Sequence, residues 1–222
     1  DIDDCIILPF NKELASLSSF DFLKKLVDDL DVRELFIGHD HRFGKGRTDD
    51  YEQYTGYGRR LGIQVIRSKP FIKNGVVISS SVVRRLLENG DVEQAADYLA
   101  APYCISGTVV QGHKVGRDIG FPTANIEINE KQKMIPAAGA YAVWVKIDGN
   151  TYKGMLNIGK RPTLNNGDRS IEVHIFDFSD DLYGKGIQVH FLKYIRPETK
   201  FDSLEDLSIQ LQKDKEFIRS IP

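Results

Sequence analysis

The segment Gly107–Asn125 reads GTVVQGHKVGRDIGFPTAN. Thr108-Val109-Val110 is a short β-like run. It feeds a loop in which Gly112, Gly116 and Gly120 alternate with His113, Lys114 and Arg117. Glycine lets a backbone pass close to a bulky anion, and exposed N–H groups beside basic side chains suit a polyphosphate. The loop closes on Phe121-Pro122-Thr123-Ala124-Asn125. Proline stiffens that turn, and Thr123 and Asn125 share one face if the segment is extended. A hydroxyl and an amide carbonyl are oxygen donors of the kind that hold Mg²⁺ beside a nucleotide phosphate. A basic surface loop accounts for the glycine spacing equally well. The chain has no G-x-x-x-x-G-K-[ST], so a Walker-type phosphate loop is excluded.

Beyond this segment the pattern is one of short strands. Tyr141 to Ile147 alternates, Asp148-Gly149-Asn150 is a hairpin turn, and Thr151 to Ile158 returns. Ile171 to Phe178 and Ile187 to Tyr194 follow, and Ser203 caps a helix through Ile218. Several short strands closed by one helix predict a small antiparallel barrel. If Ile171 and Val173 face its core, then Glu172, His174 and Phe176 share the other face. Glu172 would then be an outward-facing carboxylate able to accept a proton. A solvated strand glutamate is the competing account. Tyr141 and Trp144 read as core or pocket wall. Arg196 reads as a flap support, a charge neutraliser or a surface partner of Glu198.

On the amino-terminal side, strand and helix alternate. Cys5 to Leu8 reads as a buried parallel strand, Phe20 to Leu30 as a helix capped by Ser18 or Ser19, and Leu35 to Ile37 as a strand. Asp50 to Leu61 is a helix closed by Gly62, and Gln64 to Ile66 is a strand. This predicts an open, mostly parallel α/β sheet, with ligands at loops such as GHDHRFG, residues 38–44. His39 and His41 could share a metal, but no third ligand lies near them in sequence. ISSSVVR, residues 78–84, places hydroxyls at a helix start, capped by Ser80 or Ser81, with Arg84 one turn in. That fits a phosphate cradle or an ordinary capped helix. A second helix, from Val92 to Leu99, follows a capping signal at Asp91 and Gln94. Ala100-Ala101-Pro102 marks a boundary between domains at 1–101 and 102–222.

Composition sets the outer limits. The chain has 222 residues, 41% hydrophobic and 28% charged, with a formal net charge of −2. That balance gives no electrostatic case for nucleic acid or an anionic membrane, so any anion site is local. No apolar run is long enough to span a membrane, and no signal peptide is seen. Two cysteines, Cys5 and Cys104, without metal-type spacing, suggest a reduced cytoplasmic chain. The sequence begins at Asp1 and its only methionines are Met134 and Met155, so the expectation is a fragment, a processed form or a sequence whose start was not included. Oligomeric state is not legible.

Taken together, the segment at 107–125 closely resembles the phosphate-binding flap and PTAN motif of riboflavin kinases, specifically the kinase module of bacterial bifunctional FAD synthetases. The resemblance continues through residues 139–143 (GAYAV), 157–159 (NIG), 161–163 (RPT), 171–174 (IEVH), 182–184 (LYG) and 195–198 (IRPE). It implies a six-stranded all-β barrel of riboflavin kinase type with a C-terminal helix. It also implies that Thr123 and Asn125 hold Mg²⁺, and that Gly112, His113, Lys114 and Gly116 cover the ATP phosphates with Arg117 alongside. Glu172 takes the place of the family's catalytic glutamate.

The first part resembles the carboxyl-terminal portion of the FMN adenylyltransferase module, an α/β nucleotidyltransferase-like fold with a partial Rossmann-like parallel sheet. His41 stands where the family's G-D-F-x-F-G pattern has its first phenylalanine, and Ser81 replaces the threonine of ISST-x-x-R. The resemblance implies that Asp40 and Phe43 shape a flavin and nucleotide pocket. Ser79, Ser80, Ser81 and Arg84 are then placed toward ATP phosphates. The family's histidine-bearing opening signature has no match here. The expectation is therefore a chain that makes FMN from riboflavin and ATP but does not carry FMN on to FAD. The alternative is a non-catalytic flavin- or nucleotide-binding remnant, against which the intact Thr123, Asn125 and Glu172 argue.

Overall fold

The structure, a computed structural model, describes residues 2–112, 116, 119–130, 132–160 and 169–222, without the side chain of Lys160. The chain divides into two compact units, one ending at Val77 and the other running from Ile78 to Pro222. His113, Lys114, Arg117 and the RPT stretch at 161–163 lie outside the described residues.

The first unit contains helices α1 (Lys12–Ser16), α2 (Ser19–Leu30) and α3 (Tyr51–Leu61) with strands β1 (Glu34–Ile37) and β2 (Gln64–Arg67). Ser18 caps α2 by accepting from the Asp21 N–H. Asp50 and Gln53 form a reciprocal capping box on α3, and Gly62 ends that helix at φ 74°, where a side chain would be strained. The strands pair in parallel, Glu34 opposite Gln64, and Leu23, Ile37, Tyr54, Ile63 and Val65 form the core behind them. A small hairpin, β3 (Ile72–Lys73) and β4 (Val76–Val77), turns at Asn74-Gly75. The expected strand at residues 5–8 is not formed. Ile6 and Ile7 are exposed, and among the described residues no strand pairs with them. Apolar sequence alone does not make a strand without a ladder partner.

The second unit opens with α4 (Ser80–Asn89) and α5 (Val92–Leu99). The cap of α4 is Ser79, one residue ahead of the expected serines. Ser79 is the last extended residue, and its hydroxyl accepts from the Val82 N–H. Asp91 precedes α5 without a side-chain cap, because its backbone has left the extended region.

Strands β5 (Cys104–Val110), β6 (Ala124–Ile128), β7 (Gly139–Ile147), β8 (Asn150–Lys160), β9 (Arg169–Ile175) and β10 (Gly186–Arg196) close a barrel in the order β10-β5-β6-β9-β8-β7. Every pairing in it is antiparallel. Inward residues such as Ile105, Val143, Leu156, Val173, Val189 and Phe191 fill it. Leu87, Val92 and Ala95, from α4 and α5, belong to the same core. These two helices are therefore part of the barrel unit, and the packing boundary lies ahead of Ala100-Ala101-Pro102. The last helix, α6 (Leu204–Ser220), is capped by Ser203 and seats Ile218 against Ala142, Met155 and Phe176 on the barrel's outer face.

Candidate active site

Register decides which side chains meet. Asn125 on β6 lies opposite Glu172 on β9, and Glu172 lies opposite Asn157 on β8. Asn157 in turn faces Ala140 on β7, and Ala140 faces Arg196 on β10. Directly paired residues point to the same side of a sheet. Since Ile171 and Val173 face the core, the whole row lies on the outer face.

Above this row runs a groove of about 290 Å³. Glu172, His174, Asn157, Arg196, Glu198 and Thr123 supply its polar groups, while Ile119, Phe121, Met155, Phe201, Leu207 and Leu211 supply apolar wall. A second cavity, about 310 Å³, opens where Pro122, Thr123 and Ala124 meet residues 178–183 and the barrel residues Val109, Val173 and Ile175. Thr123 lines both. Its hydroxyl lies 3.2 Å from Glu172 Oε2, as donor to the carboxylate.

Close approach explains two glycines. A Cβ on Gly112 would fall 1.9 Å from Asn125 Nδ2, and one on Gly116 would fall 2.2 Å from the Phe121 carbonyl oxygen. Gly112 and Gly116 therefore lie directly on the Phe121–Asn125 segment. Asn125 itself is buried.

Sequence reading left two contributors without a role. His174 is buried, with Nδ1 2.8 Å from the Pro122 carbonyl oxygen and Phe121 edge-on to its ring. Burial pushes its pKa down from the usual histidine value. Its place two residues after Glu172 was the available signal. Asn157 came into the row only through the β8–β9 register. Arg196 does not bridge to Glu198 as the surface account expects. Its Nε donates to Asp214 Oδ2 at 2.8 Å, and Gln210 donates to the other carboxylate oxygen, also at 2.8 Å. Asp214 is on α6, and its 3% exposure marks it as a structural anchor.

 Asp214 follows Arg196 by 18 residues, a spacing with no periodic meaning until α6 folds back onto the barrel. Tyr141 is fully buried in the core and Trp144 is half-buried, and neither lines the groove.

The adenylyl-side residues divide between the units. Phe43 stacks on Tyr54 at 4.2 Å in the first unit and lines a cavity there with His41, Arg42 and Arg47. Asp40 borders a polar recess with the same three residues. Ser79, Ser80, Ser81 and Arg84 begin α4 in the second unit. Among the described residues, no cluster of three or more His, Cys, Asp or Glu side chains suits a metal, and His39 and His41 acquire no third ligand. No described helix is long and apolar enough to cross a membrane.

Comparison with known proteins bears on both units. A family model described as riboflavin kinase matches residues 99–221, and one described as FAD synthetase matches residues 1–82. A bifunctional riboflavin kinase/FMN adenylyltransferase of Haemophilus influenzae is 39% identical over 217 residues, 97% of this chain and 70% of its own length. The protein of the same description from Bacillus subtilis is 37% identical over 95% of this chain and 67% of its own. A crystal structure from Streptococcus pneumoniae, described as a macrolide-efflux protein, superposes with a TM-score of 0.87 at 34% identity. It covers 96% of this chain and 68% of that one.

Proposed function

Because the chain belongs to the bifunctional riboflavin kinase/FMN adenylyltransferase family, we propose that its barrel transfers the γ-phosphate of ATP to the 5′-hydroxyl of riboflavin. One observation carries this reading. Thr123 stands between two cavities, and its hydroxyl meets the carboxylate of Glu172, which faces only the outer groove. A phosphoryl donor in the cavity beside Pro122–Ala124 and an alcohol in the outer groove would meet there.

The groove suits a flat flavin, with apolar wall along α6 and hydrogen-bonding groups along the strand row. Glu172 accepts the proton of the attacking hydroxyl as the oxygen closes on phosphorus. Hydroxyl, amide carbonyl and carboxylate oxygens form a hard donor set, which fits Mg²⁺ that keeps water and phosphate oxygens as its other ligands. Thr123 and Asn125 would hold the ion, which would neutralise phosphate charge. Gly112 and Gly116 lie close over the same segment, and His113, Lys114 and Arg117 would supply positive charge toward the phosphates. On the adenylyl side, Ser79 to Ser81 and Arg84 at the start of α4 would receive ATP phosphates, with Asp40 and Phe43 shaping the flavin pocket. Two free cysteines are consistent with work in the cytoplasm.

The test is chromatography of products from riboflavin, ATP and Mg²⁺. FMN formed in proportion to protein supports the proposal. Folded protein that binds riboflavin and makes no FMN would instead be a binding remnant.

A further inference from the structure

Thr123 precedes β6 and follows a proline, which has no N–H to tie the chain down. The carbonyl of Pro122 is therefore the one backbone polar group of that residue, and His174 Nδ1 is 2.8 Å from its oxygen. A carbonyl only accepts, so Nδ1 carries the hydrogen and donates. The ring has little room to swing: it is 7% exposed, with Phe121 at 5.3 Å and Phe176 at 5.6 Å between centroids.

The direction of the Pro122 carbonyl sets the plane of the Pro122–Thr123 peptide, and so the orientation from which the Thr123 side chain leaves. On the other side of Thr123, Ala124 pairs with Val173. Thr123 is thus held between two attachments to β9, one to the His174 side chain and one to the Val173 backbone. Glu172 projects from the same strand and receives the Thr123 hydroxyl at 3.2 Å. One strand carries both the carboxylate and the clamp that brings the hydroxyl to it.

We propose that His174 is a positioning residue for phosphoryl transfer: its Nδ1–H bond to the Pro122 carbonyl aims the Thr123 hydroxyl at the reacting centre beside Glu172. The inference rests on the phosphotransferase reading of the barrel. It predicts that the location of the donor matters more than the imidazole itself. Asparagine can place an amide N–H near the position of Nδ1, glutamine reaches further out toward that of Nε2, and phenylalanine keeps a ring without a donor.

The experiment compares wild type with H174N, H174Q and H174F. Its readouts are FMN formation, KM for Mg-ATP, riboflavin affinity by flavin fluorescence without nucleotide, and thermal melting. H174N should retain turnover within about threefold, while H174Q and H174F should lose about tenfold to a hundredfold, as expected for a misplaced reacting group. Riboflavin affinity should change to the same extent in H174N and H174Q, since both take the ring from the groove wall and only the position of the donor differs. H174Q with wild-type turnover, or folded H174N as impaired as H174Q, would overturn the proposal. That comparison stands even if H174F fails to fold. Wild-type protein that makes no FMN would overturn the phosphotransferase reading and this inference with it. Wild-type protein that makes FMN alongside equal H174N and H174Q overturns this inference alone.

Discussion

On the proposed reading, Glu172 meets two requirements of phosphoryl transfer, proton acceptance and, through the Thr123 hydroxyl, contact with the nucleotide side. Its neighbours Ile171 and Val173 are buried, so the strand cannot turn to move the carboxylate elsewhere. Glu172→Gln keeps the shape and removes the base. Turnover should fall about a hundredfold or more while riboflavin affinity holds, and steady-state kinetics with parallel binding titrations check this. Unchanged turnover would remove Glu172 from the mechanism. Gly112 makes a different demand. With a Cβ 1.9 Å from Asn125 Nδ2, Gly112→Ala must displace either the loop or the Asn125 amide. The expected result is a higher KM for Mg-ATP, with riboflavin affinity nearly constant. A rise in riboflavin KM alone would put Asn125 on the wrong substrate.

At the level of elements, α6 is held by the packing of Ile218 and by the Arg196–Asp214 pair. Asp214 is almost wholly buried, and removing its carboxylate leaves the Arg196 guanidinium desolvated without its partner. Asp214→Ala should cost about 3 kcal/mol by urea denaturation. It should also raise the KM for riboflavin, because Arg196 lines the groove. The exposed Arg219–Asp177 pair is the control, and its loss should cost less than about 1 kcal/mol.

Two strands also carry histidines, His174 on β9 and His190 on β10, whose pKa values burial lowers from 6.5. Lys146 lowers that of His190 further. The unfolded chain then binds more protons as pH falls, so this contribution to stability is full above about 6.5 and is lost below it, through the folded-state values. Urea midpoints should decline from about pH 7 to about pH 5, and the H174N/H190Q double variant should show a shallower decline. An equal slope in the double variant would place the acid sensitivity elsewhere.

For the molecule as a whole, the decisive packing is that of α4 and α5 on the barrel. Leu87, Val92 and Ala95 are buried in the barrel core, the Ala137 N–H donates to the Leu87 carbonyl, and Lys193 on β10 pairs with Glu93 at 3.2 Å. A polypeptide beginning at Ile78 should therefore keep the melting behaviour and FMN formation of the barrel. One beginning at Pro102 strips away several kcal/mol of burial, at roughly 1.5–3 kcal/mol per large aliphatic side chain, and should melt at least about 5 °C lower. Equal melting temperatures for the two would show that the helices are accessories. The outcome also matters for adenylyl transfer, since Ser79 to Arg84 travel with the barrel unit.

Local chemistry was legible in sequence wherever a residue acts through its neighbours along the chain. Alternation around Glu172 predicted its outward face, Ser18, Asp50 and Ser203 announced their helices, and Gly62 and Asp148-Gly149 announced where the chain must turn. The PTAN segment displayed a hydroxyl and an amide two residues apart. What sequence could not determine was register and docking, because both depend on residues far apart in the chain that pair only after folding. The row Asn125, Glu172, Asn157, Ala140 and Arg196 exists because five strands align at one level. Pairing of Arg196 with Asp214 needs α6 folded back, and the role of α4 and α5 needs the barrel they cover. The apolar run at residues 5–8 is the converse case. Its composition suits a strand, but a strand is defined by the neighbour that completes its hydrogen bonds, and the described residues provide none.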